Sequence, residues 1–82
     1  MMQPENRFIE YVDALVTCEI AMQIALKYKE PVNRIVAATA RRVSMRCADK
    51  QNRNVFLGLS QSEFPAALLY QFRTMFDEAI SK

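Results

Sequence analysis

Apolar residues recur at helical spacing between Pro31 and Arg53, and this periodicity constrains the fold more than any other feature of the chain. At about 100° per residue, five apolar side chains fall within one narrow arc, as burial of a helix stripe requires. These side chains are Val32, Val36, Ala40, Val43 and Cys47. Proline suits the first position of such a helix, because its missing N–H would have no partner there and its φ is already helical. The pattern therefore predicts a helix over residues 31–52.

The same predicted helix carries a basic surface, because six of the eleven basic residues of the chain lie off its apolar arc. These six residues are Arg34, Arg41, Arg42, Arg46, Lys50 and Arg53. Asp49 is the only acidic residue in this segment, which leaves it with a net charge of +5, whereas the whole chain carries +2. Arginine presents a flat, forked set of donors that binds a carboxylate through two bonds at a time. We therefore expect an acidic surface of a partner protein to contact Arg34, Arg41, Arg42, Arg46 and Arg53.

The region before Pro31 predicts a longer helix, over residues 5–29, that is apolar around most of its circumference. Pro4 and Glu5 are typical of a helix start. One apolar seam comprises Phe8, Val12, Leu15, Met22 and Leu26, and a second comprises Ile9, Val16 and Ile20, extended loosely by Ile24. A surface helix would not carry two such seams. We expect this helix in the middle of a bundle or at a subunit interface.

One carboxylate, that of Glu19, interrupts the first seam between Leu15 and Met22. A carboxylate in that position is costly unless it is paired. We expect a salt bridge to an arginine of the second helix, or a partly exposed rim position, rather than a catalytic group.

A short apolar run, residues 55–59, follows the second predicted helix. It is too short for a helix of its own, and the chain has no second strand-like run with which it could pair. One interpretation is a loop whose Phe56 and Leu57 plug the end of the helical core. The other is an edge that pairs with a partner's sheet or with its own copy. We name Phe56 and Leu57 as candidate exposed apolar anchors for a partner.

The last predicted helix spans residues 63–81, with Ser62 as its N-cap. Its apolar stripe comprises Leu68, Leu69, Phe72, Phe76, Ala79 and Ile80. Because 82 residues suffice for one domain only, we predict a single all-α, three-helix bundle-like domain over residues 1–82, with the short apolar loop between helices 2 and 3. A hydrophobic content of 51% is high for such a chain and favours a homo-oligomer or a subunit of a larger complex.

The sequence also indicates the cellular compartment in which we expect the protein. No apolar stretch approaches the length needed to span a bilayer, and the N-terminus does not have the pattern of a secretion signal. We expect a cytoplasmic protein with no membrane contact. In such a compartment, Cys18 and Cys47 are expected as two small core side chains rather than as a disulfide.

The composition argues against catalysis. With no histidine and one glycine, the chain has no Ser/His or Cys/His pair and no glycine-rich phosphate loop, so we predict no catalytic, metal-binding or cofactor-binding residue. The remaining hypothesis is a small interaction module: an adaptor, a chaperone-like partner, or a regulator or inhibitor that occupies another protein's surface. The alternative is a DNA- or RNA-binding regulator that uses the basic helix 31–53. A helix, a break at Glu30–Pro31 and a second helix are compatible with a helix-turn-helix.

Overall fold

Four α-helices make up the part of the chain that the computed structural model describes, residues 3–81. They are α1 (Pro4–Lys27), α2 (Val32–Arg46), α3 (Lys50–Ser60) and α4 (Pro65–Ile80). No strand occurs within these residues. The all-α prediction is therefore confirmed, whereas the count of three helices is wrong. None of these helices is both long enough and apolar enough to cross a membrane.

The first helix ends close to the predicted break, and it ends by a specific backbone motif. Lys29 adopts a left-handed conformation with a φ of 56°. The N–H of Glu30 then donates to the carbonyl of Ala25 at 2.8 Å, and that of Lys29 donates to Leu26 at 3.4 Å. This Schellman arrangement satisfies carbonyls that the end of a helix leaves without partners. Pro31 has an extended ψ of 101°, so α2 starts one residue later, at Val32.

The second predicted helix is divided in two, because the chain leaves the helical conformation at Cys47 and Asp49. Both residues are extended, with ψ values of 126° and 128°. The carboxylate of Asp49 accepts a hydrogen bond from the N–H of Asn52 at 2.9 Å and so caps a new helix. As a correction to the predicted helix 31–52, α2 ends at Arg46, and Lys50 and Arg53 belong to α3.

The apolar run 55–59 is helical, which overturns both the loop and the strand-edge interpretations. It forms the second half of α3, and Phe56 and Leu59 from it are completely buried. The run is too short to be a helix alone, but the polar residues before it supply the first turn and the cap. The structure agrees with the plug interpretation in one respect, because the run contributes buried side chains to the core.

All four helices contribute to one core. The buried cluster comprises Ala14, Leu15, Cys18, Val36, Ala40, Val43, Cys47, Phe56, Leu59 and Leu69. The stripe that predicts α2 is thus buried, apart from Val32, which lies partly exposed at its start. Both cysteines are free and buried, as expected of core side chains.

The last helix begins two residues later than predicted, at Pro65. Ser62 does not occupy the N-cap position, although its hydroxyl accepts a hydrogen bond from the N–H of Phe64 at 3.2 Å. Only Leu69 of the predicted stripe is fully buried, while Ile80 is exposed. The far end of α4 therefore contributes little to the core.

Candidate functional site

A polar network joins the start of α1 to the turn between α2 and α3. One carboxylate oxygen of Glu10 accepts the N–H of Ala48 at 2.8 Å, and the other accepts the N–H of Asp49 and the side-chain amide of Asn52, both at 3.1 Å. Arg7 donates to the Asp49 carboxylate at 3.0 Å. The two carboxylates lie where the dipole of α3 favours negative charge. This network fixes the position of the turn relative to α1.

The same contacts change the acidity of both carboxyl groups. Partial burial acts to raise the pKa of Glu10, but the hydrogen bonds from Ala48, Asn52 and Asp49 together outweigh it and lower that pKa below its ordinary value. The N–H of Asn52 is the largest cause of the lowered pKa of Asp49, and Arg7 adds to it against the effect of burial. Both groups are therefore ionised at neutral pH and act as structural anions rather than as proton donors.

The four arginines of α2 form a basic surface. Arg34, Arg41, Arg42 and Arg46 are all exposed, and α2 contains no acidic residue. No carboxylate within residues 3–81 lies within salt-bridge distance of any of them. None of the four is therefore held in an ion pair within the described residues, although Arg46 lines a pocket that also contains Glu10 and Asp13. We refer to these four residues as the basic face of α2.

Arg53 is separate from that face. It lies on α3, and its guanidinium donates to the carbonyl of Cys47 at 3.2 and 3.3 Å and to that of Ala48 at 3.4 Å. These carbonyls follow the C-terminus of α2, where a positive charge is favourable. The structure therefore gives Arg53 a role in holding the turn.

The two candidate anchors point in different directions. Phe56 is completely buried and packs against Tyr11, with ring centroids 5.8 Å apart, so the prediction of an exposed anchor there is wrong. Leu57 is 38% exposed. It shares a concavity of about 370 Å³ with Arg41, lined also by Ala37, Ala38, Ser60 and Gln61. The structure thus brings one predicted apolar residue and one predicted arginine together between α2 and α3.

A third surface lies on α1, on the side opposite the core. We call it the outer face of α1; it comprises Ile9, Val12, Val16, Ile20 and Ile24. All of these except the half-buried Val12 are between 46% and 63% exposed. Every member is β-branched, and β-branched residues lose rotamer freedom in a helix. The stability of α1 itself therefore does not explain why these residues occur there. The face is not wholly apolar, because the exposed Asp13 lies beside Ile9, Val12 and Val16. Exposed apolar patches of this kind are often found where proteins contact one another.

The predicted second seam supplies Ile9, Val16 and Ile20 of this face, whereas Val12 belongs to the predicted first seam. The core does not follow the first seam, because Phe8 and Leu26 are each 55% exposed and only Leu15 of it is buried. The buried side of α1 contains Ala14, Cys18 and Ala25. These small side chains do not stand out in the sequence as core residues. The outer face was therefore absent from the predicted contact residues. The signal in the sequence is that apolar residues surround most of α1, which is more than a core on one side of the helix can cover.

A further apolar groove lies between α3 and α4, with a volume of about 470 Å³. Tyr11, Val55, Gly58, Leu68, Phe72 and Met75 are among its lining residues. Gly58 is the only glycine of the chain, and a Cβ at this position would meet no other atom within 4 Å. The glycine is therefore not required by packing within the described chain.

Glu19 forms its ion pair with a different helix from the one expected. Its carboxylate lies 3.4 Å from Nε of Arg73 on α4, and not beside an arginine of α2. Arg73 also lies 3.6 Å from Asp77. The same Glu19 oxygen accepts no well-formed hydrogen bond within residues 3–81, and its side chain is 21% exposed. The pair is a partly exposed charge contact between α1 and α4.

These features define a small four-helix domain with polar contacts at its α2–α3 turn, a basic face on α2 and an apolar outer face on α1. Among the residues that the structure describes, no group of three or more acidic or cysteine side chains is arranged to hold a metal ion. The chain belongs to the family described as a domain of unknown function, DUF7740, whose model matches residues 9–77. The match runs from the first turns of α1 to near the end of α4. No curated protein and no solved structure matches the chain.

Proposed function

We propose that this protein is a small interaction module that works by binding another protein rather than by catalysis. The observation that carries the proposal is the outer face of α1, because four exposed β-branched side chains lie on one side of this helix and no other part of residues 3–81 covers them. Apolar contact supplies most of the affinity at protein interfaces, and burial is worth about 25 cal/mol per Å² of apolar surface. An adaptor, a chaperone-like partner and a regulator or inhibitor all fit this description.

The basic face of α2 supplies the selectivity in this proposal. Exposed charges on a contact surface steer association and reject unsuitable partners more than they add affinity. Four exposed arginines without an acidic neighbour on their helix suit a partner whose surface is acidic. Leu57, beside Arg41, adds an apolar contact to this face. The free, buried cysteines suit a reducing compartment, and we place the protein in the cytoplasm.

The test is retention of a partner from an extract of the source cells by the native chain and by Arg41→Glu with Arg42→Glu. Both arginines are exposed and unpaired with any described carboxylate, so helix content should be unchanged by circular dichroism. Like charges facing an acidic partner cost several kcal/mol, so we expect binding to weaken by at least about tenfold.

The matched control is Arg41→Lys with Arg42→Lys, which keeps the charge and removes the forked donor geometry. It should retain part of the binding. Equal retention by the native chain and by the double glutamate variant would contradict the role of the basic face. Loss of helix content in that variant would show that the arginines stabilise the fold.

Binding to nucleic acid is a second candidate, favoured by one observation. Only three residues, 47–49, separate α2 from α3, and such a short turn joins the two helices of a helix-turn-helix. The side chains of Lys50, Gln51 and Asn54 are exposed at the start of α3, where base contacts are made in that motif. The turn is thus a different one from the Glu30–Pro31 break suggested by the sequence.

Fluorescence anisotropy with a labelled duplex of mixed sequence tests the second candidate. Binding at low salt that weakens steeply as salt increases, and that is lost in Lys50→Glu, would support it. No binding at low salt would exclude this candidate. Binding to another protein would then explain both the outer face of α1 and the basic face of α2.

A further inference from the structure

The outer face of α1 has a symmetry of its own along the helix. Val16 lies at the centre, and Val12 and Ile20 flank it at equal distances. Ile9 and Ile24 lie seven residues before and eight residues after Val16, so they are one residue out of register with each other. An apolar strip of this kind can face its own copy when the two helices run in opposite directions, because each position then meets its mirror position.

The charges at the two ends of the strip favour the same arrangement. Glu5 lies in the first turn of α1 and Lys27 in the last. At about 100° per residue, both project on the same side of the helix as the outer face. Two antiparallel copies would bring Glu5 of one beside Lys27 of the other at both ends. A parallel pair would bring two glutamates together at one end and two lysines at the other.

We propose that the outer face of α1 binds the outer face of a second copy of this chain, with the helices antiparallel and a two-fold axis beside Val16. This inference rests on the proposed function, since it names the occupant of the same apolar face. A two-fold pairing uses one patch on both subunits and closes after two copies. Opposed helix directions also place unlike ends of the helix dipoles together.

Self-pairing through α1 leaves the basic face of α2 free. The core side of α1 contacts the remaining helices through Ala14, Leu15 and Cys18, and the outer face lies on the opposite side of the helix. A dimer of this design would present two basic faces, one on each subunit. An acidic partner could then be contacted by either subunit or by both together, which raises the apparent affinity.

Disulfide cross-linking of the full chain distinguishes the possible pairings. In the antiparallel pair, Val16→Cys lies next to its own copy across the axis and should cross-link. Ile9→Cys alone should not, because its two copies would be separated by about 21 Å along the helix at a rise of about 1.5 Å per residue. That separation exceeds the Cα–Cα limit of about 7 Å for a disulfide. A mixture of Ile9→Cys and Ile24→Cys should cross-link as a heterodimer.

The native chain measures the background, which should be low because Cys18 and Cys47 are buried. All three substituted positions are exposed, so circular dichroism should show unchanged helix content. Cross-linking of Ile9→Cys alone would show a parallel pair and overturn the proposal. The absence of cross-links from Val16→Cys and from the mixture would overturn self-pairing altogether.

Ile20→Glu separates that failure from a failure of the proposed function. If the cross-links are absent but Ile20→Glu abolishes retention of another protein, the outer face is still an interaction site with a different occupant. If the cross-links are absent and Ile20→Glu retains every partner of the native chain, both proposals fail.

Discussion

Two adjacent residues, Phe56 and Leu57, show how the fold separates structural side chains from exposed ones. Both belong to an apolar run that reads as one feature in the sequence. In a helix, successive side chains project about 100° apart, so two adjacent residues can have different surroundings. Phe56 is completely buried and contacts Tyr11, whereas Leu57 faces the concavity beside Arg41.

We therefore expect Phe56→Ala to lower the free energy of unfolding by about 3–5 kcal/mol, the cost of removing a large core side chain. Leu57→Ala is the matched control and should cost less than about 1 kcal/mol. Urea denaturation followed by circular dichroism measures both. If Phe56→Ala does not fold, Phe56→Leu provides the comparison, with a smaller loss. Equal losses at the two positions would contradict the burial difference.

The carboxylate of Glu10 predicts a dependence of stability on pH. Its pKa is lowered in the folded chain, so it stabilises the fold fully above its ordinary value of 4.5, and that contribution disappears as the pH falls through the lowered pKa. Glu10→Gln should therefore be less stable than the native chain at neutral pH, and the difference should shrink well below pH 4.5. Denaturation at several pH values measures this. A difference that is constant with pH would contradict the role assigned to the charge.

At the scale of the helix, α1 was predictable because its apolar periodicity extends over many residues. Pro4 marks the start of this segment and Pro31 marks its end. The division between α2 and α3 was not, because Cys47 continues the stripe of α2 in angle although the chain is extended there. The local signal is Asp49, which is a good N-cap and has Asn52 three residues later. Asp49 is held in its capping position by Glu10 and Arg7, which are about forty residues distant in the sequence. Short-range patterns do not contain that contact.

The helical state of α3 makes a prediction for its glycine. Glycine inside a helix costs about 0.8–1.0 kcal/mol relative to alanine. A Cβ at Gly58 would meet nothing within 4 Å, so Gly58→Ala should raise the free energy of unfolding by about that amount. Gly58→Pro is the opposing control, and it should cost about 3 kcal/mol or more because proline removes a helical N–H. Thermal denaturation measures both, and a loss of stability in Gly58→Ala would contradict the assignment.

At the scale of the whole molecule, the candidate site was predictable in part. The arginines of α2 are exposed as the stripe opposite them implies, and Leu57 joins Arg41. The sequence could not tell which side of α1 faces the core, because apolar residues occupy most of its circumference and the buried side follows neither predicted seam. The answer depends on the positions of α2 and α4, against which Ala14, Leu15 and Cys18 are buried. The apolar face that carries the proposed function therefore became visible only in the folded chain.

The molar mass in solution, measured by light scattering behind size exclusion over a range of concentrations, tests the pairing of α1 most directly. The account predicts about 19 kDa, twice the 9.5 kDa of the chain, with little change at raised salt because the contact is mainly apolar. It also predicts a reduction to the mass of one chain in Ile20→Glu, with helix content unchanged. A mass of 9.5 kDa for the native chain at every concentration would contradict self-pairing. So would a dimer that Ile20→Glu leaves intact.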